Sequence, residues 1–244
     1  MAAAARYLSV GPEILSAITA AAHPLPIVRL ESETDAKIAV EQLEKFGLEV
    51  LIVSDEILNA DRPPVRLRAI EFHDGSIVVT AFNSGDKIEI GPHALRLIVA
   101  GAIIESKTES VEKRKKKERK LIQETETATD EKLIDIYSAA DATGFRIQTS
   151  GFDFSCLGSE KGLLASQNID RLLERLQEFS ARAKLIGEYR VSVSSLNTVW
   201  EMDRQKDFQG LTRTGFGRSG FAKVDRKSNL MQFTKYSRLQ CHLL

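Results

Sequence analysis

The residue best suited to covalent chemistry is Cys156, which lies in a loop predicted over residues 152–158, FDFSCLG. A thiol becomes a nucleophile only as its thiolate, so a reactive cysteine needs a base or a cationic neighbour that lowers its pKa. Asp153 and Ser155 are close to Cys156 in sequence, but no general base is evident near it. The histidines fall in other segments, at His23, His73, His93 and His242. The pattern favours a buried structural cysteine, and a small enzyme centred on Cys156 stays as an alternative.

A second motif could bind phosphate. Residues 215–220 read GFGRSG, and the glycine spacing GxGxxG lets backbone amides approach a phosphate closely. A dinucleotide site also needs a hydrophobic strand before the motif and a helix after it. Residues 209–214 are polar, so this context is missing. The motif therefore predicts a flexible glycine loop rather than a nucleotide site.

Two basic segments offer a binding surface. The run 113–120 reads KRKKKERK, and the tail 195–244 mixes phenylalanine and tyrosine with arginine and lysine. Cations neutralise phosphates and aromatic rings stack on bases, but the same residues can also dock on protein. The candidate binding residues are Lys113, Arg114, Lys115, Lys116, Lys117, Arg119, Lys120, Phe216, Arg218, Phe221, Phe233 and Tyr236.

These segments belong to a wider charge pattern. The chain has a formal net charge of zero, yet residues 1–111 carry −6, 112–120 carry +5, 121–200 carry −4 and 201–244 carry +5. Blocks of one sign create a local electrostatic field that the overall balance hides. The pattern indicates two acidic folded modules, a basic connector and a basic tail.

Composition excludes several protein classes. With 244 residues and 43% hydrophobic content the chain can bury a core. Two isolated cysteines and four scattered histidines make a zinc site or a disulfide framework improbable, and no metal or other cofactor is expected. No stretch is long and apolar enough to predict a membrane span. We expect a soluble, cytoplasmic protein.

The elements predict an α+β fold in two modules. The first, 1–110, holds a βαβ unit over 26–60 and an antiparallel β-meander over 64–108, with a hairpin at Asp74-Gly75. Residues 111–131 have the composition of a charged linker or helix.

The second predicted module, 132–194, is a small α/β unit with one long amphipathic helix over about 163–183. The tail over 195–244 ends in a helix predicted at 228–243.

The acids, thiols and imidazoles are scattered along the chain, whereas amphipathic and aromatic segments are plentiful. This pattern favours a non-enzymatic binding, scaffolding or assembly protein that acts through protein–protein contacts or self-association. The alternative is a nucleic-acid-associated protein that uses the run 113–120 and the basic aromatic tail.

Overall fold

A computed structural model describes residues 1–115, 118–139, 141–215 and 218–244, and their side chains except in 112–123, 140–142 and 208–221. Its helices are α1 (Ala2–Leu8), α2 (Pro12–Ala20), α3 (Glu33–Lys45), α4 (Asp55–Leu58), α5 (Ala165–Phe179), α6 (Tyr189–Leu196) and α7 (Leu230–His242). Its strands are β1 (Val65–His73), β2 (Ser76–Ala81), β3 (Lys87–Ile90), β4 (Leu95–Lys115), β5 (Glu118–Ser138), β6 (Asp141–Gln148), β7 (Lys184–Ile186), β8 (Asp203–Gly215) and β9 (Arg218–Ser228).

All the described strands belong to one mixed sheet. Its order is β3-β2-β1-β6-β5-β4-β9-β8, with β7 parallel to β4 alongside Leu97–Val99. The only other parallel pair among the described strands joins β1 to β6, through Val65 opposite Phe145 and Arg66 opposite Arg146. The fold is therefore α+β, as the sequence predicts.

Helices cover the two faces of the central strands. Successive strand residues point to opposite faces, so Ile98 of β4 packs toward α5 while Leu97 and Val99 pack toward α6 and α7. On the α7 side, Gly101 leaves room for the Phe233 ring, because a Cβ at residue 101 would lie 2.3 Å from it. The glycine permits a close approach of helix and strand.

Local signals explain several element boundaries. The Ser32 hydroxyl accepts hydrogen bonds from the amides of Thr34 and Asp35 and so caps α3. The β1–β2 hairpin turns at Asp74-Gly75, where Gly75 has φ of 90°, a conformation that favours glycine. The first three strands of the predicted meander pair as expected, whereas its last strand, β4, pairs with β5, β7 and β9 and not with β3. The long helix α5 and the C-terminal helix α7 are present as predicted.

The βαβ prediction is wrong in its strands. Helix α3 is present, but residues 27–30 and 48–53 pair with no described strand. Alternate side chains of the second segment, Leu48 and Val50, pack on a small cluster beneath α1 and α2, while Leu51 is 70% exposed. Packing on helices, rather than burial in a sheet, accounts for Leu48 and Val50, whereas Leu51 and Ile52 are exposed.

The predicted linker is also different in the structure. Its described residues belong to β4 and β5, which pair in register from Leu95 opposite Ser138 to Lys115 opposite Glu118. Alternating threonine and glutamate at 124–127 suits an exposed strand, since threonine favours β structure. Strands from both predicted modules lie in one sheet, so the structure does not show two separate sheets joined by a linker.

No helix in the described ranges combines the length and apolar character that crossing a bilayer requires.

Candidate functional site

Four strands continue beyond the helices as an extension of the sheet, which we call the arm. It comprises the described residues 105–115, 118–131, 203–215 and 218–228, in the order β5-β4-β9-β8. β4 and β9 pair from Glu105 opposite Ser228 to Glu112 opposite Phe221, a length of about 25 Å at the usual rise per residue. The remainder of the chain is called the body.

The arm is mostly polar and solvated. Residues 124–130 of β5 and 203–207 of β8 are all exposed, whereas Val224 of β9 is buried. Arg204 on β8 donates hydrogen bonds to Asp225 on the adjacent strand, at 3.0 Å from Nε. This bond and the nearby positive charge lower the pKa of Asp225.

The two hairpins of the arm finish at the same end. The β4–β5 hairpin turns after Lys115, the β8–β9 hairpin turns after Gly215, and the pair Glu112–Phe221 lies just before both turns. The register therefore brings together two basic segments that are about a hundred residues apart in sequence. We call this the basic end, defined by residues 113–115, 118–120, 213–215 and 218–220.

Residues of like charge occupy paired positions in the register of the basic end. Lys113 is paired with Lys120, and Arg114 with Arg119. By sequence, the run 112–120 holds seven cationic residues and two acids, Glu112 and Glu118. This composition is typical of segments that attract anions.

The side chain of Asn229 bonds β4 at the root of the arm, next to the first β4–β9 pair. Asn229, between β9 and α7, accepts a hydrogen bond from the Ile104 amide at 2.7 Å and donates to the Ala102 carbonyl at 3.1 Å. These two bonds satisfy backbone groups on the edge of β4 between the residues that pair with β7 and the residues that pair with β9. Nothing in the sequence pattern singles out this asparagine.

A buried ion pair lies in the body beneath α7. Arg146 of β6 donates from Nε and Nη2 to the two carboxylate oxygens of Asp135 on β5, at 2.7 and 2.8 Å. The side chains are 4% and 0% exposed, and the guanidinium lies 5.3 Å from the centre of the Phe233 ring. A paired charge is the form in which a protein tolerates burial. Sequence reasoning missed it because each residue stands in an apolar strand on its own.

Helix α7 is held by further buried hydrogen bonds. Tyr137 and Ser237 share one at 2.8 Å, and the Tyr189 hydroxyl donates to Gln232 at 2.9 Å. Burial raises the pKa of both tyrosines, so their phenols stay protonated. The network fixes the position of the helix next to the root of the arm.

His23 ties the N-terminal segment to α7. Its Nε2 lies 2.7 Å from the Tyr236 hydroxyl, and its Nδ1 lies 3.4 Å from Glu188. Burial lowers the pKa of this imidazole, although the Glu188 carboxylate opposes the shift. The neutral ring is therefore favoured in the folded protein.

The structure places the predicted binding residues in different settings. Phe233 and Tyr236 are fully buried against β4 and α6, so they form core and not an exposed binding surface. Their spacing fits an amphipathic helix, whose apolar face α7 turns inward. Lys116, Lys117 and Phe216 lie outside the described residues. The backbone of the others is at or next to the basic end, in Lys113, Arg114, Lys115, Arg119, Lys120, Arg218 and Phe221.

The glycine motif belongs to the second hairpin of the arm. Gly215 ends β8 and is paired with Arg218, and Gly220 lies within β9 opposite Thr212. A dinucleotide motif would join a strand to a helix. The described residues on both sides of the motif are strand, so no helix follows it. The predicted flexible loop at residues 216–217 lies outside the described residues.

Cys156 lies half-buried in a 3₁₀ segment, Phe154–Glu160, beside α5. Burial raises the pKa of its thiol, and the positive charge of Arg175 only partly offsets this. A raised pKa disfavours the thiolate at neutral pH, which is opposite to what nucleophilic catalysis needs. Among the described residues, no group of three or more histidine, cysteine or acidic side chains could hold a metal ion.

A cleft of about 780 Å³ opens on the N-terminal side of the body. Its walls combine apolar residues such as Ile14 and Val199 with an exposed ion pair, in which Arg29 bonds Asp55 at 2.6 Å. The cleft is wide open to solvent and brings together no catalytic set of side chains. The cleft therefore indicates a ligand class less clearly than the basic end does.

No family model matches the chain, and searches of curated proteins and of solved structures likewise found no match.

Proposed function

We propose that this protein binds nucleic acid through the basic end of its arm, with contacts directed mainly at the phosphate backbone. The observation that carries the proposal is the register of the arm, which unites residues 113–120 with the second basic hairpin at one end of the sheet. A linear polyanion can engage two adjacent basic hairpins at once. Counterion release then supplies most of the binding free energy.

The shape of the arm supports a nucleic-acid partner. A two-stranded β-ribbon fits the major groove of B-form DNA. The described β4–β9 pairing ends at Glu112–Phe221, so beyond that pair the end of each hairpin is a two-stranded ribbon. An opposed pair such as Arg114–Arg119, which is costly in isolation, becomes favourable when phosphates lie between or beside the two charges. We therefore place duplex DNA first among nucleic acids.

The sequence favours protein–protein contacts, partly because of aromatic residues in the tail. Two of these, Phe233 and Tyr236, are occupied in the core. The described backbone of the run, at 113–115 and 118–120, and that of Arg213 and Arg218 instead lie at the outer end of the sheet. Their placement supports the nucleic-acid alternative over the protein-contact interpretation.

The test is a binding titration with a fluorescein-labelled duplex DNA at several salt concentrations. We expect the logarithm of the association constant to fall linearly with the logarithm of salt, because each phosphate contact on B-DNA contributes about −0.9 to the slope. The triple variant Lys113→Gln, Arg114→Gln, Lys115→Gln should reduce that slope by about two to three units and weaken binding at least about tenfold at low salt. Arg213→Gln with Arg218→Gln should weaken it in the same direction.

A matched control removes three exposed cations from the body, by Lys37→Gln, Lys45→Gln and Lys161→Gln. It changes the net charge equally and should leave the slope unchanged. Equal losses in both triple variants would mean that binding follows total charge and not the arm, and no binding at low salt would overturn the proposal. A labelled single strand and heparin, run in parallel, show whether a duplex is preferred.

A further inference from the structure

The outer edges of the arm are open. Among the described residues, β5 pairs with β6 only from Leu133 onward, and none pairs with the outer edge of β5 between Glu118 and Glu131. The outer edge of β8 likewise has no strand partner in the described ranges. Unpaired strand edges expose backbone donors and acceptors that readily add another strand.

The two edges carry opposite charge on the same face of the sheet. Residues that are directly opposite in register share a face, so Glu126, Thr108, Asp225 and Lys206 form one row across the arm. Period-two alternation then places Glu124 and Asp130 on that face of β5, and Arg204 on that face of β8. The side chains of the three β5 acids and the two β8 cations are exposed.

Strand direction allows the two edges to meet. Neighbouring strands of the arm are antiparallel throughout, so β5 and β8 run in opposite directions. When a second copy is placed beside the first without rotation, its β5 lies antiparallel to β8. Without a shift along the strand, Lys206 of one copy would lie opposite Glu126 of the next. A shift of two residues sets Arg204 opposite Glu126 and Lys206 opposite Glu124, and no residues of like charge are then paired within 203–207.

Symmetric pairing is less favourable. A two-fold β5–β5 pair centred on Thr127 would oppose Glu124 with Asp130, and a two-fold β8–β8 pair centred on Gln205 would oppose Arg204 with Lys206. Both arrangements place like charges together. Charge complementarity therefore selects the contact between unlike edges.

Bulges limit the length of the contact. β8 carries one extra residue between Phe208 and Gly210, and β5 carries one between Leu121 and Gln123. Regular pairing is thus confined to about five residues on each side, since a bulge disrupts the ladder. An interface of this size is weak and reversible.

We infer that copies of this chain associate side by side, the β8 edge of one arm adding to the β5 edge of the next. The contact is heterologous, so it leaves one unused edge at each end and permits short open arrays. It does not depend on nucleic acid. On a polyanion that aligns several arms, the same contact would make binding cooperative.

The test is sedimentation velocity of the full chain over a dilution series, without nucleic acid and at low salt. The unmodified protein should show a mass that rises reversibly with concentration. Lys206→Glu and Glu124→Lys should each remain monomeric, because each places like charges across the contact. An equimolar mixture of the two variants should associate again, since the reversed charge on the β8 edge of one variant then meets the reversed charge on the β5 edge of the other.

Two exposed substitutions on α3, Lys45→Glu and Glu44→Lys, are the matched controls and should associate as the unmodified protein does. A monomer at every concentration overturns the inference. So does association that both arm variants retain, or a mixture that stays monomeric. None of these outcomes bears on DNA binding by the isolated copy, which the titration measures separately.

Discussion

The body and the arm are built from the same strands but are stabilised in different ways. In the body, β4 and β5 are covered on both faces, and even a charged pair such as Asp135–Arg146 is excluded from water. In the arm the same two strands are polar, and the Arg204–Asp225 ion pair of the neighbouring strands β8 and β9 is partly exposed to solvent. Stability should therefore be concentrated in the body and surface chemistry in the arm.

The first way to test this contrast is to break the buried ion pair. Asp135→Ala leaves the Arg146 guanidinium buried without its partner, and we expect a loss of about 3–5 kcal/mol in the free energy of unfolding. Urea denaturation followed by circular dichroism measures it. The double variant Asp135→Leu, Arg146→Met replaces the pair by apolar side chains and should recover most of the loss.

The matched change in the arm is Asp225→Ala, which breaks the pair with the exposed Arg204 side chain. We expect almost no change in the urea midpoint, because solvent already screens these charges. Similar losses for Asp135→Ala and Asp225→Ala would contradict the division of stability between body and arm.

A second test acts at the junction of the two regions. Asn229→Ala leaves the Ile104 amide and the Ala102 carbonyl without their partner, at an expected cost of about 1–3 kcal/mol. Hydrogen exchange should show the β4–β9 pairs losing protection before the β5–β6 pairs of the body. Asn229→Asp keeps the acceptor for Ile104 but sets a buried carboxylate oxygen against the Ala102 carbonyl, so it should cost at least as much as Asn229→Ala. A uniform loss of protection would mean that the asparagine does not act at the arm in particular.

The third and smallest effect is a pH dependence that belongs to the body. Burial holds the pKa of His23 below 6.5, while Glu188 and Lys184 act on it with opposite signs. Below pH 6.5 the unfolded chain therefore binds the proton more readily than the folded one, and the free energy of unfolding should fall as the pH drops. His23→Gln should flatten this part of the profile. Urea transitions of both proteins at several pH values measure it, and parallel profiles would assign the dependence to other groups.

Local patterns predict much of the body. The turn at Asp74-Gly75, the stripe of α5 and the periodicity of α7 are each encoded within a few residues, so the hairpin and both helices are found from sequence. The apolar runs at 27–30 and 48–53 show the limit of that reasoning. They have the composition of strands, but no neighbouring strand in the described ranges pairs with them.

The arm depends on contacts that a sequence pattern does not contain. The run 113–120 is typical of a solvated linker, and only its pairing with β5, and the pairing of β4 with β9, reveal a ribbon. The alternation of threonine and glutamate at 124–127 is the sequence feature that indicates an exposed strand here. Asn229 has no such signal, because its role comes from the meeting of β9, β4 and α7 at one point.

The position of helix α7 in the chain also affects how the protein folds during its synthesis. Every strand that it covers precedes it in the chain, and its contact with His23 joins residues more than two hundred positions apart. During synthesis the apolar side of β4 and β5 must therefore stay open until residues 230–242 leave the ribosome. The nascent chain would be most vulnerable to aggregation in that interval, and a chaperone that shields this face would act late in translation.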